Sequence, residues 1–452
     1  MTEDKRICAN CVQEPYLRAK ISGSEEDGEA CDYCDQVAPT ISISDVADDC
    51  DEVIDAYFTL SSDTAAVIYH DRTPEGMSLR EILDEWLTQG DSTATDDVAE
   101  VLEDRWSNAD EGRYGDDPWF IRQSSSWELS YDWADMERSL RDEARLVNPK
   151  VIQTFEKVFG GLATYRTADG TGVVLEVGPG RSIHTFYRAR VFEHRDTLEQ
   201  ALHDPERQLG PPAPTVAGSG RMNAQGVSVF YGALERHTAL HEVRPPVGAS
   251  VAIASFRVLR PLRLLNLPAL NAARVDSSLS LFDPATRPIV QRCDFINALE
   301  AQLIKPVLPS FTDRGYLTTQ AIADYLATHQ ELNLDGILFR SVQMSQRSDE
   351  PGGHNVILFH KAAAVKHADV SKTYASLAHQ VDDNEWEEAC IVSVPRERNE
   401  GWPTPFSWKG MREDSLELQR DSIEIHRVTS IVVLASVEEV RHKVAHPEKP
   451  RD

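Results

Sequence analysis

Arg221-Met-Asn-Ala-Gln-Gly-Val-Ser-Val-Phe-Tyr-Gly-Ala-Leu234, followed after three residues by Thr238-Ala-Leu-His-Glu-Val-Arg-Pro245, passes from a glycine-containing turn into a strand and then a helix. Val227 to Tyr231 is rich in β-branched and aromatic residues, the pattern of a strand, whereas Thr238 to Val243 carries helical spacing. An arginine, a tyrosine and a glutamate are thereby set beside apolar segments, where an unpaired polar group is costly.

Outward from this stretch the same alternation continues. Gly172 to Gly178, Thr185 to Phe192, Val251 to Val258, Gly336 to Phe339 and a closing run from Gly352 to Phe359 read as strands. Thr319 to Thr328 reads as a helix, and the proline-rich Leu209-Gly-Pro-Pro-Ala-Pro214 as a loop. The fold class is α+β. No Walker loop, HExxH, GxSxG or GxGxxG is present; Gly178-Pro-Gly180 lacks the third glycine and reads as a turn.

Four ordered pieces carry polar residues into this region: Phe186-Tyr-Arg-Ala-Arg190, the stretch quoted above, Tyr316-Leu-Thr-Thr-Gln-Ala-Ile-Ala323 leading to Leu334-Asp-Gly-Ile-Leu-Phe-Arg-Ser341, and Gly352-Gly-His-Asn-Val-Ile-Leu-Phe359. The series closely resembles the RES domain, a family named for an arginine, a glutamate and a serine and found in bacterial toxins that deplete NAD. The resemblance spans about residues 175–365. It implies an ADP-ribosyltransferase-like fold and cleavage of the nicotinamide-ribose bond of NAD, by hydrolysis or phosphorolysis. It places the family arginine at Arg188, the glutamate at Glu242 and the serine at Ser341 as catalytic residues, with Tyr231, Arg221 and Tyr187 binding substrate. Arg221 lies in Gly-Arg-Met-Asn where the family often has Gly-Arg-Trp-Asn, so a stacking tryptophan is missing. Tyr325, His241 and Arg244 are further residues near this set. The chemistry suits these types: a carboxylate stabilises an oxocarbenium-like ribose, and a forked cation suits phosphate. The rival reading is a zinc-stabilised interaction protein whose RES-like domain binds a nucleotide without turnover.

The front of the chain is different. Cys8-Ala-Asn-Cys11 and Cys31-Asp-Tyr-Cys34 have the C-x2-C…C-x2-C spacing of a structural zinc site, closed to water by four thiolates. Cys50, Cys293 and Cys390 have no such partners and are expected to be buried thiols. From Ser44 to about Gly160 apolar residues recur at helical spacing, and tryptophans at 86, 106, 119, 127 and 133 are expected to pack a helical core. The arrangement resembles the HEPN-like regions fused to some RES domains. An RNase centre of the HEPN kind is not indicated, because His70 is the only histidine before His184 and positions 64 to 66 are Thr, Ala and Ala. The expected units are a zinc module at 1–43, an acidic helical domain at 44–165, the RES domain at 175–365 and a C-terminal extension at 366–452, which either completes the sheet or forms an appendage.

The chain has 452 residues with a net charge of −28. Residues 41–150 hold 28 Asp and Glu against 9 Lys and Arg, so most of the excess lies in about a quarter of the length. Such a balance opposes binding to nucleic acid or anionic membrane. No apolar run approaches the ~20 residues of a membrane span, and the opening Met1-Thr-Glu-Asp-Lys-Arg-Ile-Cys8 is unlike a secretion signal. The expectation is a cytoplasmic protein whose partners are NAD, inorganic phosphate and an antitoxin or regulatory protein.

Overall fold

The computed structural model describes residues 5–24, 30–61, 75–87, 93–107, 114, 118–122, 127–274, 280–304, 315–341, 353–377, 389–395 and 412–432. His70 and residues 64–66 lie outside these.

Helix and sheet are mixed, as an α+β chain requires. In the front part, Arg6–Cys8 pairs antiparallel with Thr40–Ser42, and the helices Ile43–Tyr57, Leu79–Leu87 and Thr93–Ser107 pack beside them. The first of these starts at Ser42, whose hydroxyl accepts the Asp45 N–H at 3.0 Å, the capping pattern of a helix start. Ile7, Leu17, Ile54, Trp86 and Trp106 are buried in one core, so the cysteine-bearing segment and the helices after it share their apolar interior.

The second core is built on a nine-stranded sheet. Its strands in chain order are β1 (Val174–Val177), β2 (Thr185–Phe192), β3 (Phe230–Ala233), β4 (Ser250–Val258), β5 (Leu262–Asn266), β6 (Gly336–Arg340), β7 (His354–Leu358), β8 (Val365–Lys366) and β9 (Leu416–Arg427). Their spatial order is β8-β9-β4-β2-β3-β7-β6-β5-β1. All neighbours run antiparallel except β5–β6 and β8–β9. The C-terminal segment therefore completes the sheet through β9, while Val370–Leu377 and Ala389–Pro395 form a separate two-stranded ribbon. Cys390 lies on that ribbon and is exposed, contrary to the expectation of a buried thiol; Cys50 and Cys293 are buried as expected. The reason is the ribbon's open outer face, where Tyr374 and its cross-strand partner Val392 are also exposed.

The sheet is nearly divided in two. β2 pairs with β4 along eight residues but with β3 through the single pair Tyr187 and Ala233. β3 begins at Phe230, three residues later than the apolar run suggests, because Asn223 Nδ2 donates to the Val227 carbonyl at 3.0 Å and the Val227 N–H turns back to Ala224.

Pleat alternation assigns the faces. Tyr187, Ala233, Asn355 and Phe339 are successive cross-strand partners and share one face, with Tyr231 two residues along. Over the β2–β4 part of that face lies helix α3 (Arg236–Glu242), seated on Ala189, Ala233, Val251 and Ile253. Over the β5–β7 part lie α1 (Trp127–Asp142), α2 (Pro149–Phe159), α4 (Arg287–Ile304) and α5 (Leu317–Thr328), whose Trp133, Phe155, Phe295 and Ile322 pack with Leu265, Ile337 and Ile357. The helices of the acidic segment are thus apportioned between two cores. Helix α4 joins them: Val290 and the preceding Phe282 belong to the front core, with Phe282 edge-on to Trp86 at 5.0 Å, while Cys293, Phe295 and Leu299 belong to the sheet core.

Candidate functional site

Helix α3 ends at Glu242 for a local reason. Arg244 adopts φ 44°, the left-handed conformation that terminates helices, and Pro245 prevents continuation. A carboxylate at a helix C-terminus meets the partial negative charge of the unpaired carbonyls and needs donors from elsewhere. They come from the sheet. Ser341 Oγ donates to Glu242 Oε1 at 2.5 Å and Asn355 Nδ2 donates to the same oxygen at 2.8 Å. Ser341, just past β6, is 1% exposed and is held by its own N–H on the Gly353 carbonyl at 2.8 Å. Among the described residues no hydrogen bond reaches Glu242 Oε2.

The other end of α3 is fastened to the same strand. Glu235 Oε2 accepts from Thr238 Oγ1 at 2.9 Å and from the His354 N–H at 3.0 Å. Burial works against this carboxylate's charge, but the His354 ring and N–H and the Thr238 hydroxyl outweigh it and hold the group below the ordinary range. Glu235 and Glu242 are seven residues apart, two helical turns, so both carboxylates turn towards β7. Arg236 lies over the Tyr187 ring at 5.2 Å and pairs with Glu424 of β9.

Tyr231 organises the second half of the site. Its hydroxyl donates to Asn223 Oδ1 at 2.8 Å and accepts the Met222 N–H at 3.0 Å. Burial pushes the phenol up to about 12, so it remains a donor at neutral pH. The loop it grips is braced from α5: Gln320 Nε2 donates to Ser219 Oγ, to the Gly220 carbonyl and to the Asn223 carbonyl at 2.9, 2.8 and 3.1 Å. Arg221 projects from this loop over the Tyr316 ring at 5.5 Å.

Arg188 leaves β2 towards the face opposite Tyr187 and reaches the gap between β2 and β3. Its Nη1 donates to the Tyr231 carbonyl at 2.6 Å and its guanidinium lies 5.7 Å from the centre of the Phe230 ring. Burial, aided by Arg190, pushes it down to about 10, which leaves it charged at neutral pH. Its Nε is enclosed and has no hydrogen-bond partner among the described residues.

Of the six residues singled out in this half, Glu242 and Ser341 are in direct contact, and Arg188 and Tyr231 meet through the Tyr231 backbone. Tyr187 and Arg221 flank them on β2 and on the braced loop. No hydrogen bond or ion pair joins Arg188 to Glu242 among the described residues. Tyr325 belongs to the core, against Phe155 at 5.3 Å, and His241 bonds back to the His237 carbonyl at 2.7 Å. Asn355, Asn223 and Gln320 were not singled out from the sequence. A polar residue inside the apolar run His354–Leu358 was the available signal for the first. A cavity of about 380 Å³ lies elsewhere, at the β8–β9 edge, where Glu206 pairs with Arg420 and Lys366 with Glu417.

In the front part, Cys8, Cys11, Cys31 and Cys34 place their sulfurs within 4.8 Å of one another. The Cys8–Cys11, Cys8–Cys34 and Cys11–Cys31 separations are 3.8, 3.6 and 3.8 Å. A tetrahedron with metal–sulfur bonds of about 2.3 Å has edges of about 3.8 Å, so four thiolates here can hold a metal ion. Burial pushes the Cys8 and Cys11 thiols up, and a divalent cation would reverse that by taking them as thiolates. Asp97, on the helix Thr93–Ser107, receives Lys5 and the Tyr33 hydroxyl at 2.7 Å each and ties the cluster to the front core. No described helix is long and apolar enough to cross a membrane.

A family model for the RES domain matches residues 185–379. Neither the curated proteins nor the solved structures gave a match. Residues 185–379, which supply strands β2 to β8 and helices α3 to α5, are therefore a RES domain.

Proposed function

We propose that this domain cleaves the nicotinamide-ribose bond of NAD and that the protein acts as a toxin or defence effector. The supporting observation is the Glu242 carboxylate, held through one oxygen by Ser341 and Asn355 while the other oxygen has no described partner. As the bond from ribose C1′ to the nicotinamide nitrogen breaks, its electron pair leaves with neutral nicotinamide and positive charge develops on the ribose. A fixed carboxylate stabilises that charge without reorganising. Arg188, which stays charged at neutral pH, is assigned to phosphate, either of the substrate or as the attacking group. Tyr231 from β3 and Arg221 from the braced loop frame the substrate, and Tyr187 supports the helix that carries Glu242. The likeness of such folds to ADP-ribosyltransferases is part of this reading. The metal of the four-cysteine cluster is zinc in a structural role, and the front core restrains or senses on behalf of the RES domain, alone or with an antitoxin.

Purified protein incubated with NAD, with and without inorganic phosphate, tests this by chromatography of released nicotinamide. Wild type should release it and Glu242→Ala should lose at least about a hundredfold in rate, the scale of removing one transition-state electrostatic group. Dependence on phosphate marks phosphorolysis; release without it marks hydrolysis. Absence of nicotinamide from the wild-type reactions refutes the proposal.

A further inference from the structure

We infer that Asn355 is a positioning residue for the Glu242 carboxylate and is retained against the interest of the fold. The inference rests on the NAD-cleaving reading for what the positioned group does, but its structural basis is independent.

Asn355 is 5% exposed in the middle of the sheet, on β7 between β3 and β6. One end of its amide is used: Nδ2 donates to Glu242 Oε1 at 2.8 Å. The other end, Oδ1, is enclosed and has no hydrogen-bond partner among the described residues. The orientation follows from the chemistry, because the reversed amide would set its oxygen against a carboxylate oxygen, two acceptors in contact. A purely structural asparagine in a sheet core has both ends satisfied, as Asn223 does with three carbonyls on Nδ2 and the Tyr231 hydroxyl on Oδ1. A buried carbonyl left unpaired costs the fold its lost hydration, and an apolar residue of the same shape would avoid that cost.

What the fold receives in return is local to Glu242. The side chain sits at the last position of α3, where the helix offers it no donor. Its two donors stand on sheet elements whose backbones are pinned, Ser341 through Gly353 and Asn355 through Ala233 and Phe339. Both bonds fall on Oε1, which fixes the carboxylate through one oxygen and leaves Oε2 without a partner among the described residues. Ser341 alone would act as a pivot. Asn355 supplies the second point that stops rotation.

The test compares wild type with Asn355→Leu, near in volume and without polar atoms, and Asn355→Asp, isosteric but without the donor. Thermal melting is read without substrate, and kcat and KM are read with NAD. The expected result is a melting temperature for Asn355→Leu equal to or above that of wild type. Its kcat should fall between about ten- and a hundredfold, the value of one hydrogen bond to a charged group, with KM within about threefold. Asn355→Asp should lose at least as much in kcat. A melting temperature lowered by Asn355→Leu overturns the inference, because the residue is then structural. A kcat within threefold of wild type in either folded variant also overturns it. If wild type itself releases no nicotinamide, the catalytic reading fails, and the inference is decided by the melting comparison alone.

Discussion

Gly220→Ala and Gly218→Ala, two residues apart in one loop, should behave as opposites. A Cβ built on Gly220 would lie 2.4 Å from Asn223 Oδ1 and 2.7 Å from Tyr231 Oη, distances that real Cβ atoms do not tolerate. These two atoms form the 2.8 Å hydrogen bond that ties the loop to β3, and the same hydroxyl accepts Met222 N–H. A methyl group there must part them, leaving a buried phenol and a buried amide oxygen unpaired. Two such bonds at roughly 1–2 kcal/mol each put the cost at about 2–4 kcal/mol. With both cores of the 452-residue chain unfolding together, that is a fall in melting temperature on the order of 2–4 °C. A Cβ on Gly218 meets nothing within 4 Å, so Gly218→Ala should melt with wild type. The same displacement moves Tyr231 and Arg221, so nicotinamide release should fall more than about tenfold in Gly220→Ala, a loss equivalent to ~1.4 kcal/mol of barrier. Differential scanning calorimetry and the nicotinamide assay on both variants read this directly. Gly220→Ala as stable and as active as Gly218→Ala would refute the claim that the Tyr231–Asn223 bond organises the loop.

Two further outcomes follow from other parts of the molecule. Protein prepared with zinc should contain about one metal ion per chain by elemental analysis, since four thiolates close one shell. Chelation, or Cys31→Ser, should destabilise the front core by about 4 kcal/mol when free metal had stood a thousandfold above its dissociation constant; unchanged melting with no metal bound would count against the site. Glu235 is held below the ordinary carboxylate range in the fold, so its stabilising contribution is present above the unfolded value of about 4.3 and is lost as pH falls through the depressed one. The melting temperature of wild type should exceed that of Glu235→Gln at neutral pH, with the gap closing on acidification. A gap that widens towards acid would contradict the assigned bonds.

Several elements were legible because a single local pattern decides them. Thr185 to Phe192 reads as a strand and is β2; Thr319 to Thr328 reads as a helix and is the body of α5. The contact of Glu242 with Ser341 joins residues that ordered motifs had singled out across 99 positions. What stayed hidden depends on partners distant in sequence. Nothing in Leu416–Arg427 tells that it inserts beside β4, or that Pro149–Phe159 serves the sheet's core and not the front one. Asn355 gave only a faint signal for a related reason: a strand with one inward polar residue is ordinary until the carboxylate above it is known. Arg188 illustrates the limit of motifs in the other direction, since its guanidinium is engaged by the carbonyl of Tyr231, a contact that no spacing encodes.

Helix α4 has its first turn in one hydrophobic core and its middle in the other. Arg292, between the two, donates to the carbonyl of Gly160 at 2.7 Å and fixes the rod to the end of α2. A member shared in this way makes unfolding of the two cores one cooperative event, because neither can release α4 without stripping apolar contacts from its neighbour. By linkage, free energy from any ion or partner bound at the front is then felt by the RES domain as mass action on a common equilibrium, with no relay of small displacements needed to carry it.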